Sequence, residues 1–310
     1  MIKNYQFEIA IIVINYNSSD FTIKCIESII EKTSLNLNYQ IIIVDNNSEI
    51  DDYLSLKKYV DINSKPNLKL VSSKINTGFG GGNMFGVQFA DAKYYAFINN
   101  DTLFINDCLT IILKTMNLDS GMGIGAPTCY KEDGTMLPTL DHFASPQKEF
   151  FGRTILEKIN PTKYPNRKIK FNKPQQGQFV AGSFMVVKAI DFEDVGGFDT
   201  NIFLYYEETD LCIRLSKINK FAYLIPEAEF VHFHGASTPK SMAIKTELKI
   251  SFLYIIRKHY GYFWHKILLN KLRIQFLFKS IFKPKNLQLF SVLLRGASLS
   301  ESLKLKQKLR

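Results

Sequence analysis

Five short runs of this chain carry side chains suited to a charged, polar ligand. VINYNS (13–18), IIIVDNNS (41–48) and FINNDT (97–102) each end a fully apolar β-type run in Asn or Asp. FLYYEETDLCIRL (203–215) gathers three carboxylates, and VHFHGAS (231–237) places two histidines on one strand face. A carboxylate at a strand end, Asp45 beside Asn46, can accept the imide N–H of uracil or thymine. Asp101 is a hard oxygen ligand for the divalent cation that a diphosphate needs, and the neighbouring Asn100 suits a ribose hydroxyl. His232 and His234 are nitrogen ligands of the right kind for the same cation. Glu207, Glu208 and Asp210 stand where a loop enters a helix, and clustered carboxylates raise one another's pKa until a base can work near neutrality. NTGFGGGN (76–83) packs four glycines before an expected helix, which lets a ligand approach backbone N–H groups closely. Each run alone also suits a turn or a helix cap. In open α/β sheets, however, ligands bind outside the carboxyl ends of the strands, so polar tips on successive strands point to one crevice.

The elements that would position these tips follow from hydrophobic periodicity. The first 120 residues read as βαβαβαβ, with strands at Ile9–Ile14, Gln40–Val44, Lys69–Ser72 and Tyr94–Ile98. Their continuous branched character fits parallel strands buried on both faces. Helices are expected after Ser18 or Ser19 (Phe21, Ile23, Ile26, Ile29 and Ile30 inward), over 51–60, Asn83–Ala90 and Asp107–Met116. Glycines and prolines from Gly121 to Pro174 predict irregular loops with an antiparallel hairpin. Order returns with a strand at Gln178–Lys188, a helix at Thr209–Ser216, and short strands at Phe221–Ile225 and Glu229–His234. From about 240 onward the pattern is helical and amphipathic.

Composition bounds the class. The 310 residues are 46% apolar, enough for a sizeable core in one large α/β domain plus an extension. No secretory leader and no charge-free apolar run of about 18 residues is present, so a cytoplasmic protein is expected. Cys25, Cys108, Cys129 and Cys212 lie far apart, without a CxxC pair, and read as buried thiols rather than a zinc site or disulfide framework. The net charge of +10 is uneven: residues 241–310 hold 15 Lys and Arg against 2 Glu, a net +13, leaving 24 basic against 27 acidic residues, or −3, over 1–240. Lys266, Lys271, Arg273, Lys279, Lys283 and Lys285 lie among aromatics at helical spacing, the pattern of a helix resting on an anionic membrane surface. Nucleic acid is not expected, since no module for it is present. A dinucleotide fingerprint is excluded because the first strand is followed by INYNSSD, without a glycine.

As a set, VINYNS, VDNNS, NTGFGGGN, NND (99–101), FVAGSFMVVK (179–188), VGGFD (195–199), YYEETDLC and HFHGAS resemble a family 2 glycosyltransferase of the GT-A fold, rhamnosyltransferase-like branch, over roughly residues 7–240. The resemblance implies a Rossmann-like mixed, mostly parallel sheet flanked by helices over 1–240, with a basic helical extension over 241–310. It implies an inverting transfer from a dTDP- or UDP-linked sugar, rhamnose or another hexose, to a saccharide or lipid-linked saccharide. Asp45 would hold the pyrimidine, Asn100 the ribose, and Asp101 with His232 a Mg²⁺ or Mn²⁺. Asn15, Asn17, Asn46, Asn76, Gly78, Gly80 and Asn83 belong to the donor-binding motifs. Gly182, Ser183, Phe198 and Asp199 would border the acceptor. The base maps onto Glu208, with Glu207 and Asp210 as rivals. The family usually carries Asp at that place, so this carboxylate reaches about 1.5 Å further. Its metal motif is here reduced to a lone Asp101. Those two departures leave a second expectation open, a sugar-nucleotide-binding subunit without chemistry.

Overall fold

The computed structural model describes residues 4–233 and 241–309. The strand–helix alternation is present: β1 (Phe7–Asn15), α1 (Ser19–Lys32), β2 (Tyr39–Asp45), α2 (Ile50–Ile62), β3 (Leu68–Ser72), α3 (Gly78–Val87) and β4 (Ala92–Asn99). The four strands lie parallel in the order β3-β2-β1-β4. Alternation by two along β1 sends Ile9, Ile11 and Val13 into one core with Cys25, Ile26 and Ile29 of α1. Ala10 and Ile12 enter a second core on the opposite face with Phe97, Phe192 and Phe198. On α1 the buried stripe is Thr22, Cys25, Ile26 and Ile29, while Phe21, Ile23 and Ile30 are only half-buried.

The chain continues through β5 (Thr102–Phe104), α4 (Cys108–Leu118), β6 (Met122–Tyr130), β7 (Met136–Leu137), β8 (Leu140–Asp141), α5 (Pro146–Ile159), β9 (Gln175–Gly177), β10 (Phe179–Val180), β11 (Phe184–Lys188), α6 (Ala189–Asp194), α7 (Glu207–Ser216) and β12 (Phe221–His232). The sheet extends from β4 as β11-β6-β12-β5, with β11 antiparallel to its neighbours and β12 parallel to β6. This is the mixed, mostly parallel sheet flanked by helices that the sequence predicts.

Several boundaries differ. Residues 122–130 form a buried strand of the sheet, not irregular chain; a Cβ on Gly125 would meet Ile112, Met116 and Ile225 at 2.9 Å, so that glycine marks a close helix–strand approach. The expected hairpin is present as β6 and β7, but α5 was not anticipated. The strand expected at 178–188 breaks into β10 and β11 around 181–183. The two short strands after 221 are one, β12, with an irregular register between Ile225 and Glu229. α3 begins at Gly78 rather than Asn83, so the glycine-rich run is helix, not the loop before it.

The C-terminal part is helical: α8 (Met242–Phe282), broken at Gly261 (φ 86°), and α9 (Leu287–Leu294). Leu253, Ile256, Leu268, Leu272 and Phe276 pack with Leu289 and Leu293 into a third core. Lys258 of α8 pairs with Asp199 and Asp210, each at 2.7 Å, tying the helix to the α7 region. All four cysteines are free and buried. Among the described residues no helix is long and apolar enough to cross a membrane.

Candidate active site

A cavity of about 500 Å³ opens at the carboxyl ends of β1, β2 and β4. Its lining brings together Asn46, Asn76, Gly78, Asn100, Gly182, Ser183, Glu207, Glu208 and His232, nine of the residues expected at a site and drawn from most of the chain. The break between β10 and β11 is what delivers Gly182 and Ser183, and Asn99 N donates to Ser183 O at 2.9 Å across it.

On the β1–β2 side the polar tips are tied to one another. Asn15 and Asp45 sit in register, both fully buried. Asn15 Nδ2 donates to Asp52 (2.7 Å) and Ser48 (3.0 Å), and Asn15 Oδ1 accepts from Thr22 (2.7 Å). Ser72 Oγ donates to Asp45 at 3.2 Å. Asn17, at φ 51°, accepts from Glu49 N and shapes the same loop. Asn15, Asn17 and Asp45 therefore stand behind the lining rather than in it. Asn46 is the residue at the surface: its Nδ2 donates to Asn76 Oδ1 and Gly78 O, each 3.1 Å, and its Oδ1 accepts from Thr77 N at 3.0 Å. Those bonds fix the turn into α3. Gly78 lies at φ +75° with Phe203 O where its Cβ would be, and Phe79 N donates to that oxygen at 3.1 Å. A Cβ on Gly80 would touch Phe198 and Glu207. The glycines thus serve the approach of α3 to residues 198–207. Asn83 turns back to Phe79 O, outside the lining.

Asn100 lines the cavity with its amide N–H groups held by Ser18 Oγ (2.7 Å) and Thr22 Oγ1 (2.8 Å), which orients its carbonyl end. Asp101 and His232 meet across β5 and β12, with His232 Nε2 at 3.1 Å from Asp101 Oδ1 and both side chains buried. One carboxylate and one imidazole, close enough to share an ion, are a donor set that fits Mg²⁺ or Mn²⁺ with several positions left for other oxygens. Among the described residues no cluster of three or more such ligands exists. His234 and the following Gly235–Ser237 lie outside the described residues.

The carboxylates divide clearly. Tyr205 and Tyr206 both adopt left-handed backbone (φ 72° and 73°), a costly pair for bulky residues and the kind of strain that gathers at functional sites. That reversal starts α7 at Glu207, two residues earlier than expected, and turns Glu207 and Glu208 to the cavity. Burial pushes the Glu208 carboxyl up to about 7. Burial, with the Glu208 charge alongside, raises Glu207 well above the carboxylate range. Asp210 faces the other way: fully buried, it meets Arg214 (2.6 Å), Lys258 and His259 (2.7 Å each). Although burial opposes it, those partners pull Asp210 down to about 2. A carboxylate so paired holds structure and is no proton acceptor. Phe198 is packed among Phe79, Phe97 and Phe192, and Asp199 binds Tyr254 and Lys258 at 2.7 Å. Neither lines the cavity.

Tyr16, Phe79, Phe203 and Tyr205 also line it, inside the quoted motifs but not singled out there, whereas Ile244, Leu303 and Gln307 from the C-terminal part had no signal in the sequence. Ile244 arrives on α8, and Leu303 and Gln307 on the segment after α9 that returns to the catalytic part.

The model of the family described as "Glycosyl transferase family 2" matches residues 10–196, more than half of the chain. The rhamnosyltransferase WbbL of Escherichia coli is 28% identical over 257 residues, covering 80% of this chain and 92% of that protein. The N-acetylglucosaminyl-diphospho-decaprenol L-rhamnosyltransferase of Mycobacterium tuberculosis is 31% identical over 86 residues, 27% of this chain and 28% of that one. Among solved structures, the mannosyltransferase PcManGT from Pyrobaculum calidifontis, in complex with GDP-Man and Mn²⁺, superposes with a TM-score of 0.57 at 13% identity, over 95% of this chain and 87% of that one. GalNAc-T7 with UDP, GalNAc and Mn²⁺ gives 0.59 at 11% identity, over 80% of this chain and 48% of that one. At these identities the superpositions speak for the fold alone. The chain belongs to glycosyltransferase family 2, built on the GT-A fold, with rhamnosyltransferases among its relatives.

Proposed function

We propose that the protein is an inverting, metal-dependent glycosyltransferase that moves rhamnose or another hexose from a dTDP- or UDP-linked donor to a saccharide or lipid-linked saccharide in cell-surface polysaccharide synthesis. The observation that carries this reading is Glu208, a carboxyl poised at about 7 in the same cavity as Asn46, Asn100 and His232. Both of these relatives are rhamnosyltransferases, which supports rhamnose as the sugar, and the diphospho-decaprenol acceptor of the Mycobacterium tuberculosis protein supports a lipid-linked acceptor.

The nucleoside lies at the tips of β1 and β2 against Asn46, with Asp45 behind that wall and the ribose at Asn100. Asp101 and His232 would hold the cation, which when bound would supply positive charge near the leaving diphosphate. Glu208 takes the proton of the acceptor hydroxyl. That oxygen bonds to the anomeric carbon from the face opposite the diphosphate, and the electron pair of the breaking C–O bond leaves with the diphosphate. Gly182 and Ser183 border the acceptor. A panel of nucleotide-sugars, scored by thermal stabilisation with and without Mn²⁺, identifies the donor, and NMR of the product gives its anomeric configuration. Retention of configuration ends the single-displacement scheme. Stabilisation by donor without transfer or donor hydrolysis favours the non-catalytic binding subunit.

The helical extension is proposed to rest on the anionic inner face of the membrane. The second half of α8 is apolar on two sides: Leu268, Leu272 and Phe276 are buried, whereas Phe263, Ile274, Phe278 and Ile281 are exposed on the opposite side. Lys266, Lys271 and Arg273 lie between these two faces. An outward apolar stripe with basic flanks matches an interfacial helix. Sedimentation with anionic vesicles is expected at low salt and lost in Phe278→Asp; no binding at low salt removes the proposal.

A further inference from the structure

The cavity wall contains a segment that nothing in the transfer chemistry requires. After α9 the chain makes two short 3-10 turns, Leu299–Glu301 and Leu303–Lys306, and runs back across the catalytic part. Leu303 and Gln307 line the cavity that Asn46, Asn100 and Glu208 share, although they stand about two hundred residues or more from Asn46 and Asn100 in sequence. Three anchors hold this path. Glu247 of α8 is buried and accepts from Ser302 Oγ and Leu303 N, each at 2.7 Å, so that both carboxylate oxygens are spent on the strap. Lys304 Nζ donates to Thr200 O, in the loop ahead of Glu207. Asn47 Nδ2 donates to Lys308 O at 3.1 Å, and Asn47 directly follows Asp45 and Asn46. The segment therefore spans from the loop ahead of α7 to the tip of β2.

A buried carboxylate is costly unless its hydrogen bonds are made, and here they are made to this segment. That is a strong hold for a segment in which Leu305, Lys306, Lys308 and Leu309 are exposed. Within it, Gln307 Nε2 donates to Leu303 O at 2.8 Å, which leaves the amide oxygen and a second N–H for another partner. With Lys308 pinned beside the β2 tip, Gln307 sits at the nucleoside end of the cavity. A primary amide matches the acceptor and donor edges of a pyrimidine and the hydroxyls of a ribose alike.

We propose that residues 302–309 form a strap over the donor, and that Gln307 is a donor-binding residue contacting the nucleoside, with Glu247 positioning the strap. This rests on the donor reading above. The test uses the full-length chain with UDP and dTDP, each with Mn²⁺. Gln307→Ala is expected to weaken nucleotide binding about tenfold, the scale of one lost hydrogen bond, with the melting temperature of the free protein unchanged. Independently, trypsin cleavage after Lys304, Lys306 and Lys308, followed by mass spectrometry, is expected to slow when nucleotide binds, because cleavage needs the strap open. Glu247→Ala is expected to speed that cleavage and to weaken nucleotide binding. If wild-type protein binds nucleotide but cleavage is unaffected and Gln307→Ala binds as well as wild type, the strap proposal is overturned and the donor reading stands. If neither nucleotide binds the wild type, both are overturned.

Discussion

Replacing Glu208 by Gln separates the chemistry of this site from its cost to the fold. Burial lifts the Glu208 carboxyl from an ordinary 4.5 to about 7. The folded protein therefore keeps a proton there that the unfolded chain has already lost. Stability from that proton is fully present below about pH 4.5 and is lost as pH rises through about 7. At full ionisation the penalty is about 3 kcal/mol. Gln has no charge to desolvate, so at about pH 8 the variant gains up to that amount, and near pH 4 the two proteins converge. With an unfolding entropy of about 2.1 cal/mol/K per residue, 3 kcal/mol over a chain of this length is about 5 °C in Tm. Turnover moves the other way, falling about 10²–10⁴-fold at pH 8. In the wild type, kcat/KM falls about tenfold per pH unit below 7, because only the ionised carboxylate accepts the acceptor's proton. Thermal melts and labelled-sugar transfer, run side by side at about pH 4, 6 and 8, measure both arms. Equal melting temperatures at pH 8 refute the buried, proton-holding carboxylate. Near-normal turnover of the Gln variant moves the base to Glu207.

Three further outcomes follow from the geometry. Asp101→Asn is expected to weaken Mn²⁺-dependent nucleotide binding by more than about tenfold, since even partners outside a metal's ligand set are worth that much; calorimetry with and without Mn²⁺ reads it, and an unchanged metal dependence removes Asp101 from the site. Gly78→Ala forces a Cβ to within 1.9 Å of Phe203 O at φ +75°, so a loss of at least about 2 kcal/mol is expected from urea unfolding, and a neutral result contradicts the close approach of α3. Asp210→Asn strips the charge from contacts to Arg214, Lys258 and His259 and is expected to cost about 3–5 kcal/mol with nucleotide affinity retained. Because Asp210 is depressed to about 2, its contribution is full above the ordinary carboxylate pKa and fades as pH falls through about 2. Loss of turnover in Asp210→Asn without loss of stability would return Asp210 to the list of bases.

Strand content and strand tips were legible in the sequence because they are local. The branched apolar run Ile41–Val44 fits a strand buried on both faces, and the period of two along β1 fixes which residues enter which core. The same locality made Asp45 and Asp101 visible as polar ends of apolar runs and Glu208 as one of three carboxylates at a helix entry, and the motifs together carried the family resemblance that singled out Glu208. What failed was read from glycine. Gly78, Gly80 and Gly125 announced turns, yet each lies within a helix or strand: at Gly78 and Gly125 another part of the chain comes too close for a Cβ, and at Gly80 Phe198 and Glu207 leave only a tight fit. That cause is tertiary and leaves no local trace. The division of labour among the carboxylates was decided the same way: Glu208 and Asp210 lie one helical half-turn apart in similar sequence, but one faces a cavity and the other meets Lys258 and His259 from a distant helix, which sends their pKa values to about 7 and about 2. Sequence determined the fold class and the residue types at the site. Only long-range packing decided their ionisation, and brought Gln307 to a pocket that Ile14 also lines.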